Sequence, residues 1–171
     1  MRHYLLFFLV LLLIAAGAAF IFRQRQNLRP PQADKILVEK GARRLTLLSR
    51  GRKLKEYHIT LGFSPIGPKE REGDGRTPEG IYIIDFHKPD SAFHRALHVS
   101  YPSAQDNARA AEAGLSPGGD ILIHGLPNGL GALGSAYRLR DWTAGCIAVT
   151  DPEIDEIYSS VDDGTPVEIV P

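Results

Sequence analysis

The sequence predicts a mostly β fold with two short helices and long loops, and three observations support this prediction. Short runs that alternate apolar and polar residues recur along the chain, such as KILVE at 35–39 and LKEYHITL at 54–61. Glycine and proline cluster between these runs, as expected for turns that join strands. Helical spacing is limited to a stretch after Asp106 and a second one after Thr150.

The predicted strands are short and separated by two glycine-rich loops. They are 35–39, 45–48, 54–61, 80–86, 96–101, 120–124 and 167–170. The first loop, 62–80, reads GFSPIGPKEREGDGRTPEG and the second occupies 125–134. A loop as long as the first is usually functional or disordered when it interrupts a compact domain. We therefore expect it to be a lid or a groove wall.

The two predicted helices have recognisable ends. The first covers 106–113 and stops before a glycine. The second begins at Thr150, which forms a capping-box pattern with Glu153, and Pro152 lies in its first turn, where proline is tolerated. Its apolar positions have helical spacing and predict one buried face. They are Ile154, Ile157, Tyr158 and Val161.

The first 26 residues predict a membrane anchor or a signal segment. Residues 4–22 carry no charge, which is long enough for a spanning helix of roughly 20 residues. The alternative is a cleaved signal peptide, since Ala16-Gly17-Ala18 resembles a cleavage site. A polar linker with two prolines follows at 27–34, and one domain occupies 35–171.

Charge leaves the orientation of this segment open but argues against some partners. Arginines at 23, 25 and 29, taken alone, would leave the domain in the cytoplasm. The lone cysteine and the motifs below favour export instead. The chain has 20 basic and 20 acidic residues, and nothing suggests a nucleic-acid surface. Six basic residues cluster between 43 and 55, at a predicted hairpin tip. We interpret them as solvated charge; a contact with anionic lipid or glycan is the less favoured alternative.

The candidate catalytic pair is Cys146 with His124. Cys146 is the one cysteine of the chain, so no intramolecular disulfide can form. An unpaired thiol in an oxidising compartment suggests a reactive role, although a buried inert cysteine is the alternative. His124 ends a predicted buried strand, and an imidazole can take the thiol proton and hold the thiolate as an ion pair.

Residues next to this pair are candidates for supporting roles. Gly145 lets the backbone turn sharply before the nucleophile. N–H groups of the same turn, which includes Ala144, are candidates for an oxyanion hole. Thr143 is expected to hydrogen-bond the loop or the substrate. The carbonyl of Gly125, or another carbonyl nearby, is expected to fix the imidazole tautomer.

The other histidines and Trp142 are weaker candidates for a functional role. His94 and His98 are four residues apart, but they lie near a predicted strand and lack an evident third ligand. We therefore expect no metal and no cofactor. His58 and His87 are interpreted as ordinary strand or loop residues. Trp142 either packs in the core or forms a wall of the site.

Taken together, four motifs resemble the L,D-transpeptidase catalytic domain, the YkuD-type family of peptidoglycan enzymes. They are LGF at 61–63, GDGRTPEG at 73–80, IHG at 123–125 and DWTAGCIAVT at 141–150. The resemblance runs from about Lys35 to the C-terminus. It implies a β-sandwich or curved sheets, with the cysteine on one sheet and the histidine opposite.

The resemblance also implies a reaction, a substrate and a location. Cys146 matches the nucleophile and His124 the base, while Gly145 and Thr143 match the rest of the cysteine motif. The cysteine would attack a stem peptide of peptidoglycan, releasing D-Ala, and pass the acyl group to an amine, a lipoprotein lysine or water. The domain would then lie in the periplasm or another extracytoplasmic part of the envelope, and the N-terminal segment predicts that it is anchored to the inner membrane. Candidate substrate-binding residues within these motifs are Trp142, Asp141 and Arg76.

Two departures from the family pattern keep alternatives open. Ala144 stands where many members have histidine, and Ala148 where they have arginine. Loss of these polar contacts could favour an L,D-carboxypeptidase or amidase, including one that releases wall-linked lipoprotein. A second alternative is a non-catalytic wall-binding scaffold anchored in the membrane. A sortase-like enzyme using Arg138 or Arg140 fits the motifs poorly.

Overall fold

The computed structural model describes residues 14, 16, 17 and 30–171. Most of the predicted N-terminal segment, and residues 27–29 of the predicted linker, therefore lie outside the described residues. Among the residues that are described, no helix is long and apolar enough to cross a membrane. The chain divides into two compact units, Met1–Pro31 and Gln32–Pro171. The sheet and both candidate catalytic residues belong to the second unit.

The second unit is built on one sheet of eight strands. The strands are β1 (Lys35–Glu39), β2 (Arg44–Ser49), β3 (Arg52–His58), β4 (Gly80–Ser91), β5 (His94–Val99), β6 (Leu122–His124), β7 (Ile147–Ala148) and β8 (Pro166–Val170). Their order across the sheet is β3-β2-β1-β8-β4-β5-β6-β7. The pairs β1–β8 and β6–β7 are parallel and the other pairs are antiparallel. The predicted mostly β fold is confirmed.

Strand β4 connects the two halves of the sheet. Its first residues, 80–83, pair with β8, and residues from 84 onward pair with β5. Irregular register between Ile84 and Phe86 marks the change of partner. Apolar side chains from both halves form one buried cluster. Its fully buried members include Ile36, Leu45, Ile59, Ile84, Leu97, Ile123, Ile147 and Ile154.

Two α-helices and one 3₁₀ segment complete the unit. Helix α1 (Ala104–Glu112) begins two residues earlier than predicted, because Ser103 caps it through a capping box with Asp106. Helix α2 (Asp151–Ser160) begins as predicted, since Glu153 accepts hydrogen bonds from the backbone and hydroxyl of its cap, Thr150. The 3₁₀ segment (Gly131–Leu139) is broken at Gly134.

The predicted strand 54–61 ends early, at His58, because the chain changes partner there. Thr60 leaves β2 and exchanges two backbone hydrogen bonds with Ala148, each 2.9 Å long. This bridge brings the start of the loop after residue 61 against β7. The chain segment that follows β3 therefore reaches the cysteine motif.

The expected arrangement of cysteine and histidine on opposing sheets is wrong. His124 is the last residue of β6, and its parallel neighbour in β7 is Ala148. Cys146 directly precedes β7. Because β6 and β7 are adjacent strands at one edge of the sheet, both residues lie on the same edge.

Candidate active site

The backbone turn before Cys146 is fastened by Thr143. The Thr143 hydroxyl donates to the Cys146 carbonyl at 2.7 Å and accepts from the Gly145 N–H at 3.1 Å. Gly145 has a φ of 141°, a conformation that favours glycine. Thr143 therefore supports the loop, and its contact occupies the N–H of Gly145. Ala144 and Cys146 are left as the candidate oxyanion donors of this turn.

The same turn is docked against residues 61–63. Thr143 donates its N–H to the Leu61 carbonyl at 3.1 Å, and its own carbonyl accepts from Phe63 at 2.9 Å. A Cβ at Gly62 would lie 2.1 Å from the Gly75 carbonyl oxygen and 3.1 Å from the Gly145 Cα. Such distances are shorter than van der Waals contact, so only glycine fits between the two loops.

His124 is buried, and its tautomer follows from one contact. Its Nδ1 lies 2.6 Å from the carbonyl oxygen of Gly125. A carbonyl oxygen only accepts hydrogen bonds, so Nδ1 carries the proton and Nε2 has a free lone pair. The ring packs against Phe93 at 4.5 Å and against Trp142 at 5.8 Å between centroids. Trp142 thus forms a wall next to the imidazole.

Burial keeps both candidate catalytic groups neutral at pH 7. Burial lowers the pKa of His124 to about 4, against the opposing effect of its hydrogen bond to Gly125. Burial also raises the pKa of Cys146; the nearby Asp120 carboxylate adds to this rise, while a hydrogen bond from the Leu122 backbone and the charge of Lys69 oppose it. Burial thus favours the neutral thiol and the neutral imidazole in this pair.

In the described part of the chain, the Cys146 thiol is not hydrogen-bonded to the imidazole. It donates instead to the carbonyl oxygen of Asp120 at 3.5 Å. Asp120 has a φ of 54°, unusual for a residue other than glycine, and its carboxylate is exposed. Catalytic hydrogen bonds are often long in a free enzyme and form when substrate binds.

Cys146 opens into a cavity of about 220 Å³, which we call the Cys146 cavity. One wall belongs to residues 62–79, named the polar loop here, and the other to residues 118–121. Its lining residues are Lys69, Glu72, Gly73, Gly118, Gly119, Asp120, Ile121, Ala144 and Cys146. The polar loop is thus a wall of this cavity, in agreement with one of the two roles expected for it.

Asp74 organises the polar loop. One carboxylate oxygen accepts the N–H groups of Glu70 and Arg71, at 2.8 and 3.0 Å. The other accepts the Arg76 N–H at 3.0 Å and the Lys69 ammonium at 2.9 Å. Burial alone would raise the pKa of Asp74, but these four hydrogen bonds hold it down at about 2. Asp74 is therefore ionised at neutral pH.

A second groove, of about 590 Å³, lies beside Trp142. It is lined by Ala136, Tyr137, Leu139, Arg140 and Trp142. Most of these residues belong to residues 125–140, named the leucine loop here because Leu130, Leu133 and Leu139 are exposed on it. The indole N–H of Trp142 is buried and has no hydrogen-bond partner among the described residues.

Two of the predicted substrate-binding residues make contacts within the protein. Asp141 accepts hydrogen bonds from the Arg43 side chain, at 2.7–3.2 Å, and from the Leu61 N–H at 2.9 Å. Arg43 belongs to the basic cluster interpreted as solvated charge, and here it fixes the motif that precedes the cysteine. The Arg76 guanidinium is directed to Glu70, at 3.3 Å. Among the three candidates, Trp142 is the one that lines a groove.

The two histidines considered as metal ligands, His94 and His98, each lie close to a carboxylate. His94 lies 3.0 Å from Asp155, and His98 lies 2.6 Å from Asp85. Within the described residues, no group of three or more histidine, cysteine or carboxylate side chains could hold a metal ion.

Sequence reasoning missed three groups that border the Cys146 cavity or the imidazole. Lys69 and the Asp120 carbonyl lie at the cavity, and Phe93 covers the imidazole. Residue 69 lies in the predicted functional loop, which was the available signal for it. No sequence pattern marks a backbone carbonyl or chooses one phenylalanine among seven.

Fold and site together define a β-rich domain with a cysteine and a buried histidine on two adjacent strands at one side of the sheet. The family model of YkuD, the L,D-transpeptidase catalytic domain, matches residues 33–169. The chain therefore belongs to the L,D-transpeptidase catalytic domain family. Membership of this family argues against the sortase-like alternative.

Individual relatives agree with this assignment. YafK of Escherichia coli (strain K12) is 33% identical over 110 residues, which are 63% of this chain and 37% of YafK. The helical cell shape determining protein Pgp2 from Campylobacter jejuni has a TM-score of 0.61 at 27% identity, over 78% of this chain and 46% of Pgp2. Bd1075 of Bdellovibrio bacteriovorus has a TM-score of 0.57 at 25% identity, over 80% of this chain and 47% of Bd1075. The chain thus spans less than half the length of each relative.

Proposed function

We propose that this protein is a cysteine-dependent L,D-transpeptidase that acts on peptidoglycan stem peptides. The observation that carries the proposal is the placement of the Cys146 thiol at a cavity, at the same sheet edge as His124. The imidazole is neutral at pH 7 and its Nε2 lone pair is free, so it can accept a proton. Family membership supports the reaction class.

The first step forms an acyl-enzyme. As the Cys146 sulfur attacks the carbonyl carbon at the L-centre of the third stem residue, Nε2 of His124 takes the thiol proton. N–H groups of Ala144 and Cys146 are the proposed donors to the oxyanion. The C–N bond then breaks, the imidazolium returns the proton to the departing amine of D-Ala, and a thioester remains.

The second step transfers the acyl group. The amine of a second stem peptide attacks the thioester carbon while His124 accepts one of its protons. The C–S bond breaks, and the imidazolium reprotonates the sulfur. The imidazole begins and ends each step neutral, so it is available to accept a proton in both steps.

Hydrolysis is the second candidate, and Ala144 favours it. Ala144 is exposed and lines the Cys146 cavity, where many family members have a histidine. A methyl group cannot hydrogen-bond an acceptor amine, so water could compete for the thioester. Ala148 is a weaker argument for hydrolysis, because its side chain is buried and its backbone pairs with Thr60.

The proposed location is the cell envelope, where peptidoglycan is found. The segment 1–26 is proposed to tether the domain to the inner membrane, with residues 27–34 as the linker. Pgp2, similar in fold, is titled a helical cell shape determining protein. By analogy, an influence on cell shape is proposed for this protein as well.

The test is to incubate the full chain with purified disaccharide tetrapeptide and to identify products by mass spectrometry. A cross-linked dimer that has lost D-Ala is the expected product. Tripeptide alone would overturn transpeptidation in favour of the L,D-carboxypeptidase. Absence of both products would contradict the proposed substrate and move attention to lipoprotein-linked peptides.

Matched variants assign the chemistry to the proposed residues. Cys146→Ala is expected to abolish product while the protein stays folded. His124→Gln is expected to lower turnover strongly, whereas His58→Gln, at an exposed position, serves as its control. Retained activity in Cys146→Ala would rule out this cysteine as the nucleophile and favour another mechanism.

A further inference from the structure

Lys69 is a buried cation in the wall of the Cys146 cavity. Its side chain is 4% exposed, and it lines the cavity together with Cys146. Its ammonium donates to the Arg71 carbonyl at 3.1 Å and to Asp74 at 2.9 Å. An ammonium has three N–H donors, so within residues 30–171 one donor of Lys69 has no acceptor.

Lys40 is a second buried lysine with which the hydrogen bonding of Lys69 can be compared. It is also buried, 2% exposed, and also contacts the polar loop. Its ammonium donates to the carbonyls of Gly67 and Thr77, at 2.6 and 2.8 Å, and to Glu79 at 2.9 Å. All three donors of Lys40 are therefore used inside the protein. Lys69, in contrast, keeps one donor at a cavity, and an unmet buried donor is costly unless a ligand or water completes it.

We propose that Lys69 binds the free C-terminal carboxylate of the acyl-donor peptide and thereby selects peptides that end one residue after the scissile bond. This inference rests on the proposed function. The carboxylate lies a single residue beyond the carbonyl that Cys146 attacks, and consecutive Cα atoms are about 3.8 Å apart. One cavity that holds both Cys146 and Lys69 can therefore hold both groups of the peptide.

Charges around the cavity are compatible with an anionic ligand at Lys69. Asp74 is the buried counter-ion, and its oxygens already accept four hydrogen bonds from the polar loop. The Asp120 carboxylate is 99% exposed. Glu72 is exposed too, and it accepts the Ser116 hydroxyl at 3.2 Å. These two negative charges lie at the solvent side, where water and salt screen them.

A terminal carboxylate also explains why a cation is needed there. An enzyme that releases one C-terminal residue must distinguish a chain end from a longer peptide. A charge-assisted hydrogen bond between ammonium and carboxylate makes that distinction, because an internal peptide carbonyl is neutral. The charge of Lys69 also acts on the Cys146 thiol, as expected for groups that share a small cavity.

The experiment compares kcat/KM of the full chain for disaccharide tetrapeptide and for the same peptide with a C-terminal carboxamide. The wild-type protein is expected to prefer the acid by roughly 10- to 100-fold. Lys69→Arg should keep the preference. The double variant Lys69→Met/Asp74→Asn removes both charges together, so no carboxylate is left buried alone, and it should process both peptides at the carboxamide rate.

The double variant Lys40→Met/Glu79→Gln is the matched control, because it likewise removes both charges of a buried pair, and thermal unfolding is measured for every variant. Since Lys40 is engaged only within the protein, its loss should affect acid and carboxamide by the same factor. Equal rates of the wild-type protein on both peptides, or a preference for the acid that persists in the double variant, would overturn the role of Lys69 while leaving the proposed function intact.

A binding measurement keeps the inference testable if the wild-type protein turns over neither peptide, which would count against the proposed function. Calorimetry would then compare both peptides on the Cys146→Ala chain, with and without the double variant. Tighter binding of the acid that disappears in the double variant supports carboxylate recognition by Lys69. Equal affinities, or no binding, contradict it.

Discussion

The polar loop and the leucine loop both lie near the candidate catalytic pair, but they are held in different ways. The polar loop is fixed by buried ion pairs, since its Glu79 pairs with Lys40 and its Lys69 pairs with Asp74. Thr77, which is fully buried, accepts the Gly62 N–H at 3.2 Å. The leucine loop is fastened near its start by Asp151, which accepts the Leu126 N–H, and by Asn128, which hydrogen-bonds residues 91, 92 and 94. Near its end, Arg138 pairs with Glu153.

This difference indicates different uses of the two loops. Contacts to buried charges are directional and costly to break, so the polar loop is a wall of defined shape. In the middle of the leucine loop, the backbone hydrogen bonds of Leu130 and Leu133 reach back only three residues. A segment with few long-range contacts can adapt to a bound peptide. We expect the polar loop to set specificity and the leucine loop to accommodate variable parts of the substrate.

The largest effect is expected for Lys40→Met. This change leaves Glu79 without its cation and two carbonyls without their donor. We expect the free energy of unfolding to fall by about 3–5 kcal/mol, as for other broken buried pairs. Urea denaturation measures it. Lys53→Met is the control, because Lys53 and Glu56 form an exposed pair that contributes less than about 1 kcal/mol. Equal losses in both variants would contradict the buried-charge account.

Next in size is Gly62→Ala. The added Cβ would lie 2.1 Å from the Gly75 carbonyl and would push the polar loop away from Gly145. A displacement of about 1 Å at a catalytic group can cost roughly 100-fold in rate, so we expect a loss of that order in kcat/KM. Gly41→Ala is the control, since its nearest contact is an ordinary 3.7 Å. If Gly62→Ala kept full activity, the polar loop would not be a rigid wall.

A smaller effect is expected for the contribution of Asp74 to the free energy of unfolding at acidic pH. The pKa of Asp74 is about 2 in the folded protein and near 3.8 otherwise, so its contribution is fully present above about pH 4. It is lost as pH falls from about 4 to 2, and amounts to about 2 kcal/mol. Urea titrations at several pH values should show that Asp74→Asn has a flatter pH dependence in this window. Parallel curves for the two proteins would contradict this assignment.

How much of this could be read from the sequence depends on the range of the contacts involved. The capping box of Thr150 and Glu153, and the strand ending at His124, follow from local patterns and were predicted. The end of β3 at His58 was not, because it depends on the partner that Thr60 finds in β7. Lys69 was missed for the same reason, since only the folded polar loop brings it to the cysteine.

The smallest effect is expected for Leu139→Ser in the leucine loop. The Leu139 side chain is 90% exposed, so it contributes little to the folded state, and stability should change by less than about 0.5 kcal/mol. Because Leu139 lines the groove beside Trp142, the variant tests whether an apolar part of the substrate lies there. A rise in KM with unchanged kcat would indicate binding in the groove. A loss of stability above 1 kcal/mol would instead mean that the leucine loop is packed as firmly as the polar loop, and the contrast between the two loops would be wrong.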